Sequence, residues 1–477
     1  MEATKELANP YSLAPEPKKK LFLFGIFLCV FGSMLQSGTL STMLPLAAND
    51  IGGVEYYSLA TTVTGVVSIA AMPLYGYLAA RNPEIKRQLM AVSYFIGAAV
   101  VLCRMFAPQM MVIVVAMALW GVVSPATFVL GYSVIRDMYD PKAAGGYLGV
   151  CGTLMMLANI LGPIGGGALM TALGWRSLNM VIWPIMLLGG VLVLLGVKVT
   201  KEDMAPFAKS GSKFDTLGTI GLVIFLAGLI LGLSLGTSLV RFGTPGSIGL
   251  FVTSLVGLVI LVIAMRKRQG EAIIPTPALK NRNVVAFTLA NFFGMFSTMA
   301  LFFFLPSYII NSMGGNGFQA GIAMACMSLL GVFLGPVVGK SIGKDGSAKK
   351  MLSVSAILRI VVAAVLVFYL TPDANYYVIC AIMLIAGLYN IMHSVSFSAG
   401  PQIQLPEELR VQGNAVIQTG QNLGSGVGTA FYSVIIGIFG FTGGMPVAIG
   451  FSILFAAATF ACALFLRPLK REFVEAE

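Results

Sequence analysis

Pro73-Leu-Tyr-Gly76-Tyr-Leu-Ala-Ala-Arg81-Asn-Pro-Glu-Ile-Lys86-Arg87 closes one long apolar run and opens the next. The same skeleton returns at Pro336, Gly339, Lys344, Lys349 and Lys350, every position displaced by 263 (73 to 336). A tight cationic loop between two apolar runs, repeated once, predicts two related halves set across a membrane.

The rest of the chain agrees with that reading. Its 477 residues are 57% hydrophobic and 10% charged, with a mean hydropathy of +0.89. A soluble fold cannot cover so much apolar surface, whereas lipid can. Basic residues outnumber acidic ones, 30 to 19, but they sit in short loops without aromatic interleaving. That pattern favours anionic headgroups and no nucleic acid. The six cysteines lie in or beside apolar runs with no CxxC or ligand spacing, so neither a disulfide framework nor a metal site is expected. Without a Walker A loop or a catalytic-triad spacing, neither an enzyme, a cofactor nor an ATP-driven pump is supported.

A crossing takes roughly 20 apolar residues. Fourteen runs meet this requirement, from 21–46 to the final pair at 408–438 and 444–467. The first follows a polar start ending in Lys18-Lys19-Lys20 and is too long for a signal-peptide core. An even count puts both termini on one side. Placing them in the cytoplasm leaves roughly 26 of the basic residues there, as the positive-inside rule requires. The expectation is a monomeric, multi-pass protein of the cell membrane. Gly32 and Gly294 precede Pro45 and Pro306, and Asn159 maps onto Asn422, so the repeat extends through whole halves. The expected division is a tail at 1–20, a six-helix bundle at 21–199 and a linker with two inserted helices at 200–283. A second six-helix bundle at 284–467 and a tail at 468–477 complete it. The class is all-α, and the inserted pair is expected at the periphery.

Three motifs carry a family resemblance: the loop from Gly76 through Arg81 to Lys86-Arg87, the run Leu161-Gly162-Pro163-Ile-Gly165-Gly166-Gly167, and Leu35-Gln36 through Pro45. The chain resembles the major facilitator superfamily, in particular its fourteen-span drug:proton antiporter-like branch. The resemblance implies fourteen helices in two pseudo-symmetric halves that rock about a site near the midplane. It also makes the glycines and the basic loops (Gly76, Arg81, Lys86, Arg87, Gly162, Pro163, Gly165, Gly166, Gly339, Lys344) conformational elements. This chain departs from the family where protons are handled. Gln36 stands at the family's span-one aspartate and Met117 at its span-four arginine, while Ala80 and Gly343 stand at the loop aspartate. An amide cannot exchange a proton as a carboxyl does. Fourteen-span relatives that import bile acids with protons in gut anaerobes are similar to it in size and span count.

No acidic residue falls in the middle of a span; Asp50, Glu55, Asp137 and Asp215 come closest, at span ends. The charged or titratable side chains at depth are Arg104, Arg359 and His393. A lone buried cation costs roughly 2.5–3.5 kcal/mol on insertion scales, so an anionic substrate is a natural partner. Arg104, near the outer end of its span, is expected to snorkel to the headgroups. For Arg359 two readings stand: hydrogen bonds to neighbouring carbonyls, or substrate contact. Its span is the third of its half, which in the family packs outside the cavity. His393 shares a helical face with Asn390, Ser394 and Phe397, and is either a structural hydrogen bonder or the titrating, proton-coupling group. Gln36, Asn291, Gln418, Gln421 and Asn422 are either glue between helices or, with aromatics such as Phe292, Tyr308 and Tyr389, a hydrogen-bonding site for a large amphipathic small-molecule substrate carrying hydroxyls. The expected function is proton-coupled uptake of an amphipathic organic anion such as a bile acid, with multidrug efflux by proton antiport as the alternative.

Overall fold

The computed structural model describes residues 9–53, 56–204, 214–236, 240–268, 272, 274, 276–345 and 347–467. Long apolar runs become helices because lipid offers backbone groups no hydrogen bonds, so each run must satisfy its own. The chain falls into two compact units that meet in sequence at Phe214 and Asp215. Unit 1 holds α1 (Glu16–Ile51), α2 (Tyr57–Arg81), α3 (Lys86–Met105), α4 (Met110–Met138), α5 (Pro141–Leu161), α6 (Gly167–Leu173), α7 (Ser177–Leu195) and the short α8 (Lys201–Met204). Unit 2 holds α9 (Thr216–Leu235), α10 (Pro245–Arg268), the short α11 (Thr276–Leu279), α12 (Arg282–Asn311), α13 (Gly317–Asp345), α14 (Lys349–Tyr369), α15 (Tyr376–Gln404) and α16 (Glu407–Leu464). Among the described residues, 13 helical stretches are long and apolar enough to cross a membrane.

The spans expected at 408–438 and 444–467 arrive as the single element α16, broken at Gly440 by a φ of +68°. Only glycine takes that conformation without a Cβ penalty. The rings of Phe431 and Phe451 lie 5.3 Å apart, whereas a straight helix would separate them by about 30 Å. The chain therefore reverses at Gly440, and both legs pack on α12. Phe296 of α12 meets Phe431 at 5.4 Å and Phe455 at 3.9 Å, and Ser297 Oγ donates to the Ser452 carbonyl at 2.8 Å.

Between helices in lipid, close approach replaces the hydrophobic effect as the source of adhesion. On α16 the glycines recur every fourth residue. A Cβ on Gly420 would stand 2.8 Å from the Thr288 carbonyl oxygen, one on Gly428 3.0 Å from Phe296 Cα, and one on Gly424 would run into the Phe292 carbonyl oxygen. Unit 1 uses the Gly162–Gly166 stretch in the same way. It forms one π-helical turn between α5 and α6, a local widening that accommodates Pro163, which has no N–H to donate. A Cβ on Gly162 would stand 3.2 Å from the Leu35 carbonyl oxygen and one on Gly166 2.5 Å from Thr39 Cγ2, so the turn is seated on α1. Gly165 faces open space.

Helices α9 and α10, the expected insertion, form a hairpin joined backbone to backbone. A Cβ on Gly228 would stand 2.6 Å from the Ser254 nitrogen and one on Gly221 2.6 Å from the Leu261 nitrogen, and Ser254 Oγ donates to the Phe225 carbonyl at 2.9 Å. The pair is built into unit 2 through α9, whose Ile230 touches α16 where Gly426 leaves room. Its partner α10 exposes Ile248, Val252, Leu255 and Val259.

Candidate functional site: two buried arginines

The first copy of the basic stretch is helical as far as Arg81 and again from Lys86, so only residues 82–85 form the turn. Its cations have unequal partners. Lys86 Nζ lies 2.6 Å from Asp137 Oδ2 and donates to Ser133 Oγ at 2.9 Å, tying the start of α3 to the end of α4. Arg87 donates to the Leu194 carbonyl at 2.7 Å. Among the described residues, exposed Arg81 reaches the Tyr77 hydroxyl of its own helix, at 2.6 Å, and no other acceptor. Gly76 lies within α2 beside open space. In the second copy Gly339 and Lys344 both lie within α13, Gly339 beside Val395 and Lys344 exposed.

The contrast gives a first prediction. Asp137→Asn should lower stability by about 1–3 kcal/mol, because a buried ammonium loses its charged acceptor. Arg81→Gln should stay within about 0.5 kcal/mol, as an exposed contact does. Thermal unfolding of the purified variants would rank them.

Arg104 does not snorkel: its side chain is 0% exposed. Acceptors converge on it from three other helices. Nε donates to Asn179 Oδ1 of α7 at 2.7 Å, and Nη2 donates to Gln36 Oε1 of α1 at 3.3 Å. Nη1 lies 3.5 Å from Met117 Sδ of α4. Turning the Gln36 amide about its last bond would let its oxygen accept from Arg104 Nη1 and Trp120 Nε1, both at 3.2 Å. Snorkelling offers water and headgroups, but this network already satisfies the guanidinium inside the bundle. α3 thus places a cation against Met117, the position where the family resemblance places one on α4. Gln36 is the partner of that cation.

The second arginine sits in unit 2 and also points inward, not to the outside of the bundle. Arg359 of α14 is 2% exposed. Its Nη1 donates to the Gly294 carbonyl of α12 at 2.6 Å, and its guanidinium lies 4.8 Å from the centre of the Tyr389 ring of α15. Its Nε and Nη2 have no acceptor among the described residues. Beside it, His393 of α15 (3% exposed) shares a hydrogen bond with Asn291 of α12, Nε2 to Oδ1 at 3.2 Å. Asn291 Nδ2 in turn donates to the Ile417 carbonyl of α16 at 3.3 Å. The His393 Nδ1 and the hydroxyls of Tyr389 and Tyr432 are buried without partners. Native proteins leave few buried polar atoms unpaired, so a group of them marks a place where something else supplies the bonds.

Asn291, Arg359 and His393 are therefore brought together, and Gln36 is placed with the other arginine. Tyr308 lies between four and five turns along α12 from Asn291, where its hydroxyl donates to the Leu370 carbonyl at 3.4 Å. Asn390, Gln421 and Asn422 are half-buried and Gln418 is exposed; the hydrogen bonds around Arg359 use none of these four. Sequence reasoning missed Asn179, Trp120 and Tyr432 altogether. It noted Gly294 only as the counterpart of Gly32, yet a Cβ there would collide with the His393 ring.

The chain matches the family described as Major Facilitator Superfamily over residues 26–429. It is 25% identical to the multidrug transporter protein MdtP of Bacillus subtilis over 378 residues, 78% of this chain and 67% of that protein. It is also 25% identical to the riboflavin transporter RibZ of Clostridioides difficile over 423 residues, 87% of this chain and 88% of that one. Its fold is similar to a crystal structure of the peptide transporter POT in complex with sulfate, with a TM-score of 0.64 at 14% identity, covering 93% of this chain and 95% of that one.

Proposed function

The chain belongs to the Major Facilitator Superfamily and is a multi-pass membrane transporter of small molecules, not an enzyme; from that premise we propose that it imports an amphipathic organic anion, such as a bile acid, together with protons. The observation that carries this reading is the sign of the buried charge. Both ionised groups buried deep in the bundles, Arg104 and Arg359, are cations. The one buried acid among the described residues, Asp215, accepts the Gly218 N–H at 2.9 Å as the cap of α9. A buried cation with free donors favours a passenger that brings negative charge.

In this reading the protein lies in the cell membrane as a monomer with both termini in the cytoplasm, and works by alternating access. Asn291, Arg359 and His393 contact the substrate, and His393 carries the coupling proton. The polar faces of α15 and α16, with Asn390, Gln418, Gln421 and Asn422, take its hydroxyls. Gly76, Arg81, Lys86 and Arg87, with Gly339 and Lys344 in the second copy, gate the conformational change. The turn at Gly162, Pro163, Gly165 and Gly166 lets α5 bend. Multidrug efflux is the second reading, favoured by the likeness to MdtP.

A flux assay separates the two. Proteoliposomes should accumulate labelled cholate several-fold more with an acidic exterior than without a gradient, and a protonophore should abolish the difference. Ethidium export without cholate uptake would establish the second reading in its place.

A further inference from the structure

The amide of Asn291 fixes the state of the imidazole beside it. Its Nδ2 donates to the Ile417 carbonyl, which can only accept, so Oδ1 is the atom turned toward His393. Imidazole Nε2 therefore carries the hydrogen and donates it to Oδ1. In the neutral ring Nδ1 is left with the lone pair. That atom is buried without a partner, and it is where a proton would be taken up.

Arg359 flanks the same spot. A Cβ on Gly294 would fall 2.9 Å from His393 Nδ1 and 3.1 Å from Arg359 Nη1, so both nitrogens border one point on α12. Among the described residues, the groups that surround His393 bring no acid. α12 contributes Asn291 and the Gly294 carbonyl, α14 contributes Arg359, and α15 itself contributes Tyr389 and Phe397, while Tyr432 of α16 faces Arg359. On the other side of α15, α13 sets Gly331 and Gly335 against Ile391 and Gly339 against Val395, with no charged side chain in these contacts.

A proton on Nδ1 would place two cations side by side, with three free N–H donors (Arg359 Nε and Nη2, and Nδ1 itself). That state is unfavourable until a negative group arrives. A carboxylate supplies what is missing: one negative charge, and two oxygens that accept a guanidinium fork and a third hydrogen bond. We infer that Arg359 and His393 bind one carboxylate and one proton as a pair, each raising the affinity for the other. This deepens the uptake reading and rests on it: the acidic end of the substrate enters unit 2, and a monocarboxylate crosses with its proton without net charge. Coupling of this kind is reciprocal, so the proton must tighten the anion as much as the anion tightens the proton.

Binding of labelled cholate to the purified full chain, read by scintillation proximity, tests the pair without requiring flux. Binding should tighten about tenfold from pH 8 to pH 6, a typical coupling strength. The analogue with its carboxyl reduced to an alcohol should bind weakly and without pH dependence. His393→Gln keeps a donor for Asn291 but cannot be protonated, and should flatten the pH dependence. Arg359→Lys keeps the charge but not the fork, and should weaken cholate about tenfold while the pH dependence stays. Absent or pH-independent cholate binding in the wild-type protein overturns the pair, as does pH dependence that survives His393→Gln. Cholate that binds as expected but is not driven inward by a pH gradient leaves the pair standing and overturns the uptake reading.

Discussion

A Gly424→Val protein should fail to yield folded material, and Gly424→Ala should be recovered at reduced stability. The Cβ of either residue would enter the space of the Phe292 carbonyl group, and a helical backbone cannot rotate away as a side chain can. Overpacking a filled interior costs about 1–3 kcal/mol where neighbours can adjust. Here the adjustment is a displacement of α16 from α12, which also loosens the contacts of Gly420 with Thr288 and Gly428 with Phe296. The cost should therefore exceed that range for valine. Size-exclusion profiles and thermal unfolding in detergent would show it, and a Gly424→Val protein as stable as wild type would refute the close-packed seam. Gly165→Ala, where nothing lies within 4 Å, is the matched control and should be silent.

Asn179→Leu should destabilise unit 1 more than Arg104→Met does, although the first removes a neutral side chain and the second a charge. Asn179 accepts from Arg104 Nε at 2.7 Å. Its loss leaves a fully buried cation short of an acceptor, a change that costs about 3–5 kcal/mol for buried charges deprived of a partner. Removing Arg104 instead leaves the Asn179 oxygen without its donor, about 1–3 kcal/mol, while the Gln36 oxygen can turn to Trp120 Nε1. It also relieves the roughly 2.5–3.5 kcal/mol of holding a cation at depth, so the two contributions largely offset. Thermal unfolding of both variants and of the double variant gives the coupling directly. The opposite order would mean that the Arg104 network is not what ties α1, α3, α4 and α7 together.

The repeated basic stretch, the family and the all-helical class were legible because each is a local pattern. The reversal near residue 440 was legible for the same reason: Gly440, Gly443 and Gly444 interrupt the apolar run. What hid was pairing. Arg104 and Asn179 stand 75 positions apart and Arg359 and Gly294 stand 65 apart, and nothing in the composition of either span names its partner. Hence Arg104 was expected at the headgroups and Gln36 was left between helix glue and substrate contact, whereas the structure sets the two against each other. His393 and Asn291 were each recognisable as polar groups at depth. That the amide dictates which ring nitrogen is free became visible only once α12, α15 and α16 were in place.

The seam between α12 and α16 also bears on how the protein is made. Translation delivers Phe292 and Phe296 long before the glycines that receive them, and domains of multi-span chains assemble as their parts emerge. Until α16 enters the bilayer, α12 lacks the Ile417 carbonyl that accepts from Asn291 Nδ2, the Ser452 carbonyl that accepts from Ser297, and the glycines that close the seam at Thr288. The hairpin turn at Gly440 brings both closing legs to it together. A nascent chain stalled before Gly420 would leave those polar groups facing lipid, a signal for membrane quality control to act on.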